Sequence, residues 1–163
     1  MSVPVPTLVE FTGRPAPSAH APLVVLGPSL GTSVSSLWSA AARALEGEHR
    51  VVGWDLPGHG ASAPTTEPCT MAEPAQGALE AVDRLPSPAG VEHERPFYYA
   101  GNSVGQQLLL DAPGRVRAAV TGGRAAVLAG ATHLLPAEAP QEVARLPAGH
   151  FASAPIPSEG ARA

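Results

Sequence analysis

The pentapeptide Gly101-Asn102-Ser103-Val104-Gly105 fits the pattern G-x-S-x-G, in which small residues flank a serine held in a strained turn between a strand and a helix. A side chain at Gly101 or Gly105 would collide with neighbouring backbone in so tight a turn. The helix expected to follow offers backbone amides and a favourable dipole end to an oxyanion developing on a carbonyl. The bare pattern also describes an ordinary Gly/Ser turn, but an apolar strand before it and helical sequence after it favour the nucleophile. Such a serine needs a base, and of the six histidines His133 has the best setting. It ends the run Val127-Leu128-Ala129-Gly130-Ala131-Thr132-His133, an apolar strand leading into a small-residue loop, where a sheet presents groups beyond its strand ends. His20, His49, His93 and His150 lie in polar or loose segments and read as solvated rings. In Asp55-Leu56-Pro57-Gly58-His59-Gly60 the aspartate and histidine read as groups that hydrogen-bond the loop to itself rather than as catalysts. The segment Gly27-Pro28-Ser29-Leu30-Gly31-Thr32-Ser33 follows another apolar run and is placed to bring a backbone N–H beside that of Val104, so that two donors face one oxygen. It serves equally as the lead into a helix capped by Ser33 or Ser35.

Elements must position these groups. Residues 23–26 are a short continuous apolar run, as expected of a strand buried on both faces of a parallel sheet; residues 50–54 read as a second buried strand, and residues 97–100 as a third that runs into the serine turn. Helices are predicted over 35–45, over 67–85 with Pro74 and Gly77 weakening the signal, and over 106–111, closed by Pro113-Gly114. Residues 5–11 suit an outer strand, followed by a Pro-rich stretch over 14–22. Residues 115–120 and 124–129 are both strand-like, with only Thr121-Gly122-Gly123 between them. Parallel neighbours need a crossover of a dozen or more residues. Either the two runs form an antiparallel hairpin, or the first continues helix and loop and only the second is a strand. A last short helix is expected over 138–146, and the Ala-, Pro-, Ser- and Gly-rich residues 147–163 read as a loose tail beyond a single domain over 1–146.

Composition narrows the function classes. With 163 residues, 44% hydrophobic and 15% charged, the chain can bury one core, while 17 glycines and 19 prolines demand many turns. A net charge of −4, with all ten basic residues arginine, provides no concentrated cationic surface for nucleic acid or anionic lipid. The single cysteine, Cys69, excludes an internal disulfide and a cysteine-based zinc cluster and suits a reducing compartment, so the cytoplasm is the expected location. The first residues lack a basic head followed by an apolar stretch, and no run approaches the ~18 apolar residues of a membrane span. No metal site is expected, because His133 has no His, Cys or Asp at ligand spacing.

Several segments together resemble the α/β-hydrolase family and, more narrowly, its 3-oxoadipate enol-lactonases. The resemblance rests on the stretch from Leu23 to Trp38 with Gly27-Pro28-Ser29-Leu30-Gly31-Thr32-Ser33, on Trp54-Asp55-Leu56-Pro57-Gly58-His59-Gly60-Ala61-Ser62, on Ala100 to Gly105, and on Leu128 to Pro140. It implies Ser103 as nucleophile, His133 as base, and the amides of Ser29 or Leu30 and of Val104 as the oxyanion hole. It also implies a small-molecule ester or lactone substrate and no cofactor. One departure is that only 30 positions separate Ser103 from His133. In the family that interval holds a lid, further strand–helix units and the triad acid, whereas one βαβ unit alone takes roughly 30 residues. The expected architecture is therefore a truncated α/β-hydrolase fold, a mostly parallel sheet flanked by helices without a lid domain. Asp111 is the only acid in the interval and reads as a surface residue near the end of a helix, while Asp55 and Asp83 precede the serine, so no residue inherits the acid role. Two readings follow, an impaired serine hydrolase or a catalytically inactive relative that binds or has no function of its own, with perhydrolase-like chemistry a minor third. Loss of lid and strands should also expose apolar sheet surface, a reason to dimerise.

Overall fold

A computed structural model describes residues 5–12, 20–86, 96–106, 108 and 133–153. Four strands, β1 (Leu8–Phe11), β2 (Leu23–Gly27), β3 (Arg50–Trp54) and β4 (Tyr98–Gly101), form one sheet in the order β1-β3-β2-β4. β2 runs parallel to both β3 and β4, with Val25 opposite Val52 on one side and Tyr99 on the other. β1 lies antiparallel on the outer side of β3, pairing Leu8 with Trp54. The sheet is mixed, with a parallel interior and an antiparallel edge, in keeping with the predicted elements.

Alternation along each strand divides the core into two layers. Leu23, Val25, Val52, Trp54 and Tyr99 face one side, where α2 (Ala72–Asp83) covers them with Ala75, Ala78, Leu79 and Val82. Val24, Leu26, Val51 and Tyr98 face the other, where α1 (Val34–Ala42) brings Val34, Leu37, Trp38, Ala41 and Ala42. Each such Val or Leu, fully removed from water, contributes about 1.5–3 kcal/mol before entropy is counted. α1 starts at Ser33, whose hydroxyl accepts from the Ser36 N–H while the Ser36 hydroxyl accepts from the Ser33 N–H, a reciprocal cap. Pro74 falls in the first turn of α2, where a proline is tolerated.

Past His133 the chain forms one turn of helix, α3 (Leu135–Glu138), and then α4 (Pro140–Ser153). Both lie on the α1 face, where Leu134, Val143, Ala144 and Ala148 pack into the second core layer. The helix expected to stop at residue 146 thus continues to Ser153, through Pro147. Residues 147–153 are helix rather than loose tail, because apolar docking on α1 offsets the missing proline N–H. The choice between hairpin and single strand over 115–129, Asp111, His93 and the tail beyond residue 153 all lie outside the described residues.

Candidate active site

β2, β3 and β4 run parallel, so their chains leave the sheet at one edge, at Gly27, Trp54 and Gly101. Crevices beyond such strand ends are the usual ligand sites of open α/β sheets. Three loops meet there: 28–33, 55–63 and the turn after β4.

In that last turn Ser103 has φ of 51°, the only non-glycine residue in the left-handed region among the described residues. This conformation costs an L-residue about 1–2 kcal/mol and persists only where its surroundings enforce it. Here they do. The Gly105 N–H donates to the carbonyls of Asn102 (2.9 Å) and Pro28 (3.1 Å), tying the turn to the loop after β2. A Cβ at Gly101 would sit 2.6 Å from the Gly105 carbonyl oxygen, and one at Gly105 would lie 2.9 Å from the Gly27 carbonyl carbon and closer still to the Pro28 oxygen. Both glycines are required by close approach, as the pattern predicts. From below, the Tyr99 hydroxyl donates to the Gly105 carbonyl and accepts from Trp54 Nε1 at 3.3 Å. Burial of that phenol pushes its pKa well above the ordinary tyrosine value. Residues Ser103–Gln106 form a 3-10 turn where the sequence predicted the serine to precede an α-helix starting at Gln106.

The neighbouring loop holds the other predicted donors. Ser29 is 1% exposed, Leu30 is 67% exposed, and Val104 is half-buried against the first core layer. Ser29 and Val104 belong to segments tied together by the Gly105 N–H, which donates to the Pro28 carbonyl at 3.1 Å.

Asp55 is not an acid waiting for a histidine. Fully buried, it accepts from the Val34 N–H (2.6 Å) through one carboxylate oxygen and from the Ala61 N–H (2.9 Å) through the other. It therefore closes its own loop, as predicted, and also grips the start of α1, which the sequence did not reveal. A Cβ at Gly60 would lie 2.5 Å from its carboxyl carbon. His59 likewise bonds within its loop, Nδ1 lying 3.1 Å from the Pro57 carbonyl, but its Nε2 reaches the Gly31 N–H at 3.2 Å. His49 is not simply solvated: its ring stands edge-on to Tyr98, 5.9 Å between centroids.

His133 is exposed, in the turn before α3. Its carbonyl accepts from Asn102 Nδ2 at 3.1 Å, so the residue next to Ser103 tethers the His133 backbone beside the serine turn. Sequence reasoning missed Asn102, a residue at a position of G-x-S-x-G where any type fits the pattern. In the sequence Tyr99 carries only a strand signal. Among the described residues no carboxylate hydrogen-bonds His133, and no cluster of three His, Cys, Asp or Glu side chains is placed to hold a metal.

Comparison with known proteins bears on the fold. No protein-family model matches the chain. RutD of Escherichia coli, to which carbamate hydrolysis is ascribed, is 37% identical over 122 residues, 72% of this chain and 42% of RutD. A hydrolase from Pseudomonas aeruginosa superposes with a TM-score of 0.54 at 32% identity, over 68% of this chain and 38% of the other. The chain has the fold of the α/β-hydrolases. The enol-lactonase of Burkholderia xenovorans shares that fold, with a TM-score of 0.51 at 23% identity, over 69% of this chain and 40% of its own. The chain thus spans less than half the length of these relatives. No helix among the described residues is long and apolar enough to cross a membrane.

Proposed function

We propose that the chain is a serine hydrolase of small carbonyl substrates flanked by a heteroatom, an ester or lactone or, by its likeness to RutD, a carbamate. The observation that carries the reading is the left-handed Ser103, enforced by Gly101, Gly105 and Pro28, since such strain is retained where a nucleophile must project from a strand–helix turn. Ser103 Oγ attacks the carbonyl carbon and His133 takes its proton. The N–H groups of Val104 and of Ser29 or Leu30 receive the oxyanion, and the proton returns to the leaving group. Water activated by His133 then cleaves the acyl-enzyme. The narrower resemblance to 3-oxoadipate enol-lactonases supports the lactone choice, and the identity to RutD favours a carbamate. Turnover is expected to be slow, because His133 lacks a described carboxylate partner, and loss of that partner costs about 10⁴ in serine proteases.

That same missing partner favours a second reading, an inactive relative in which the turn survives without chemistry. Covalent labelling with a fluorophosphonate probe separates the two. Labelling that disappears in Ser103→Ala, with an unchanged circular-dichroism spectrum, establishes an activated serine. A folded protein that takes no label removes the enzyme reading.

A further inference from the structure

We propose that His59 is a positioning residue that fixes the peptide plane between Leu30 and Gly31, and with it the oxyanion loop; this rests on the serine-hydrolase reading above. The loop after β2 is anchored at three points. At its start the Pro28 carbonyl accepts from the Gly105 N–H of the serine turn, and at its end the Val34 N–H donates to Asp55. Between them, Ser29 to Thr32 form a β-turn, with the Thr32 N–H 3.3 Å from the Ser29 carbonyl and the Thr32 hydroxyl 3.0 Å from it. Gly31, at the third position, has φ of +79°, while Leu30 before it is not in the left-handed region. This combination is a type II turn, which differs from type I by a flip of its central peptide.

The central peptide is the one that His59 holds. Its Nε2 lies 3.2 Å from the Gly31 N–H and so accepts, which requires the neutral ring with its proton on Nδ1. That proton is then correctly placed to be donated to the Pro57 carbonyl 3.1 Å away. One tautomer satisfies both contacts. The ring is itself carried on a braced loop: the His59 N–H donates to Leu56 (2.9 Å), its carbonyl accepts from Ser62 (2.9 Å), and Ser62 Oγ donates to the Asp55 carbonyl (2.9 Å). A peptide flip at Leu30–Gly31 would point a carbonyl at the His59 acceptor, so the histidine selects against it. The flip would also swing the Leu30 carbonyl and shift the adjoining amides of Ser29 and Leu30, the candidate oxyanion donors. Removing one oxyanion donor costs about 10²–10³ in kcat, so misaligning one is expected to cost less, on the order of tenfold.

The test is the second-order rate of fluorophosphonate labelling in three variants. His59→Leu removes both contacts. His59→Asn places an amide near Nδ1 and leaves Gly31 without an acceptor, whereas His59→Gln extends a carbonyl oxygen to the Nε2 position. Labelling about tenfold slower in His59→Leu and His59→Asn, with recovery to within about threefold of the parent rate in His59→Gln, is the expected result. Equal rates in His59→Leu and the parent, or no recovery in His59→Gln, overturn the proposal while leaving Ser103 as the nucleophile. A parent protein that takes no probe overturns both. Ring ¹⁵N shifts of the unsubstituted protein give a readout that does not depend on variant folding: one protonated Nδ1 and an unprotonated Nε2 are expected for His59, and the opposite tautomer overturns the assignment.

Discussion

Around Ser103 the backbone is set less by the serine than by Tyr99, whose hydroxyl meets the Gly105 carbonyl on one side and Trp54 Nε1 on the other, in the core. Phenylalanine in its place would leave two buried polar groups unpaired, so Tyr99→Phe is expected to lose about 1–3 kcal/mol near neutral pH. The pH dependence should change as well. Burial raises the Tyr99 pKa above its unfolded value of about 10, so above that pH the folded state keeps a proton that the unfolded chain has lost. The contribution is complete below pH 10 and declines above it, by up to about 1.4 kcal/mol per pH unit. Urea unfolding of both proteins between pH 8 and 11 should show the parent losing its advantage over Tyr99→Phe as pH rises, and parallel declines would contradict this. Sequence revealed the glycines and the serine, whose requirement is local sterics. It did not reveal Tyr99 or Asn102, because each acts on a backbone carbonyl of a segment that only the fold brings near.

At the scale of elements, the strands were legible and the helix ends were not. Residues 23–27 and 51–54 are apolar and buried on both faces because helices cover both sides of the sheet, and an unbroken apolar run is what that burial demands. A helix end is set by what it docks on. α1 ends at Ala42, earlier than its apolar pattern suggested, and α4 passes Pro147 because Val143, Ala144 and Ala148 rest on α1. A proline inside a helix removes one backbone hydrogen bond and crowds the carbonyl four residues earlier, a cost of about 3 kcal/mol in a free helix. Pro147→Ala should therefore raise the thermal midpoint, by an amount equivalent to about 1–3 kcal/mol, since alanine restores the bond at small loss of packing. A midpoint that stays or falls would mean that the ring of this half-buried proline contributes packing that outweighs its backbone cost.

Over the whole molecule, the serine turn and His133 belong to opposite ends of the folding problem: the turn is fixed by the sheet, and His133 by helices that dock on its far layer. The alternation of strands and helices made the parallel sheet edge readable, and the apolar run before His133 pointed to a strand end, but nothing in the sequence named the contacts that hold His133 there. The described contacts place the His133 backbone beside the serine turn. Ala144 is 3% exposed within the α1 layer, α3 and α4 follow His133 directly, and Asn102 holds the His133 carbonyl at the other end of that arm. Ala144→Arg forces a long charged side chain into this contact and should lift α4 from α1, freeing His133 while leaving the turn around Ser103 intact. Labelling by the fluorophosphonate should then fall toward the rate of His133→Ala, a loss of about 10²–10⁴ if His133 serves as general base. Ala78→Arg, which places the same charge in the layer under α2, is the control: it should lower stability comparably, by about 1–3 kcal/mol or more, yet leave the labelling rate of the folded fraction near the parent value. If both variants label alike, the helical arm does not position His133, and the Asn102 tether alone must hold it beside the serine.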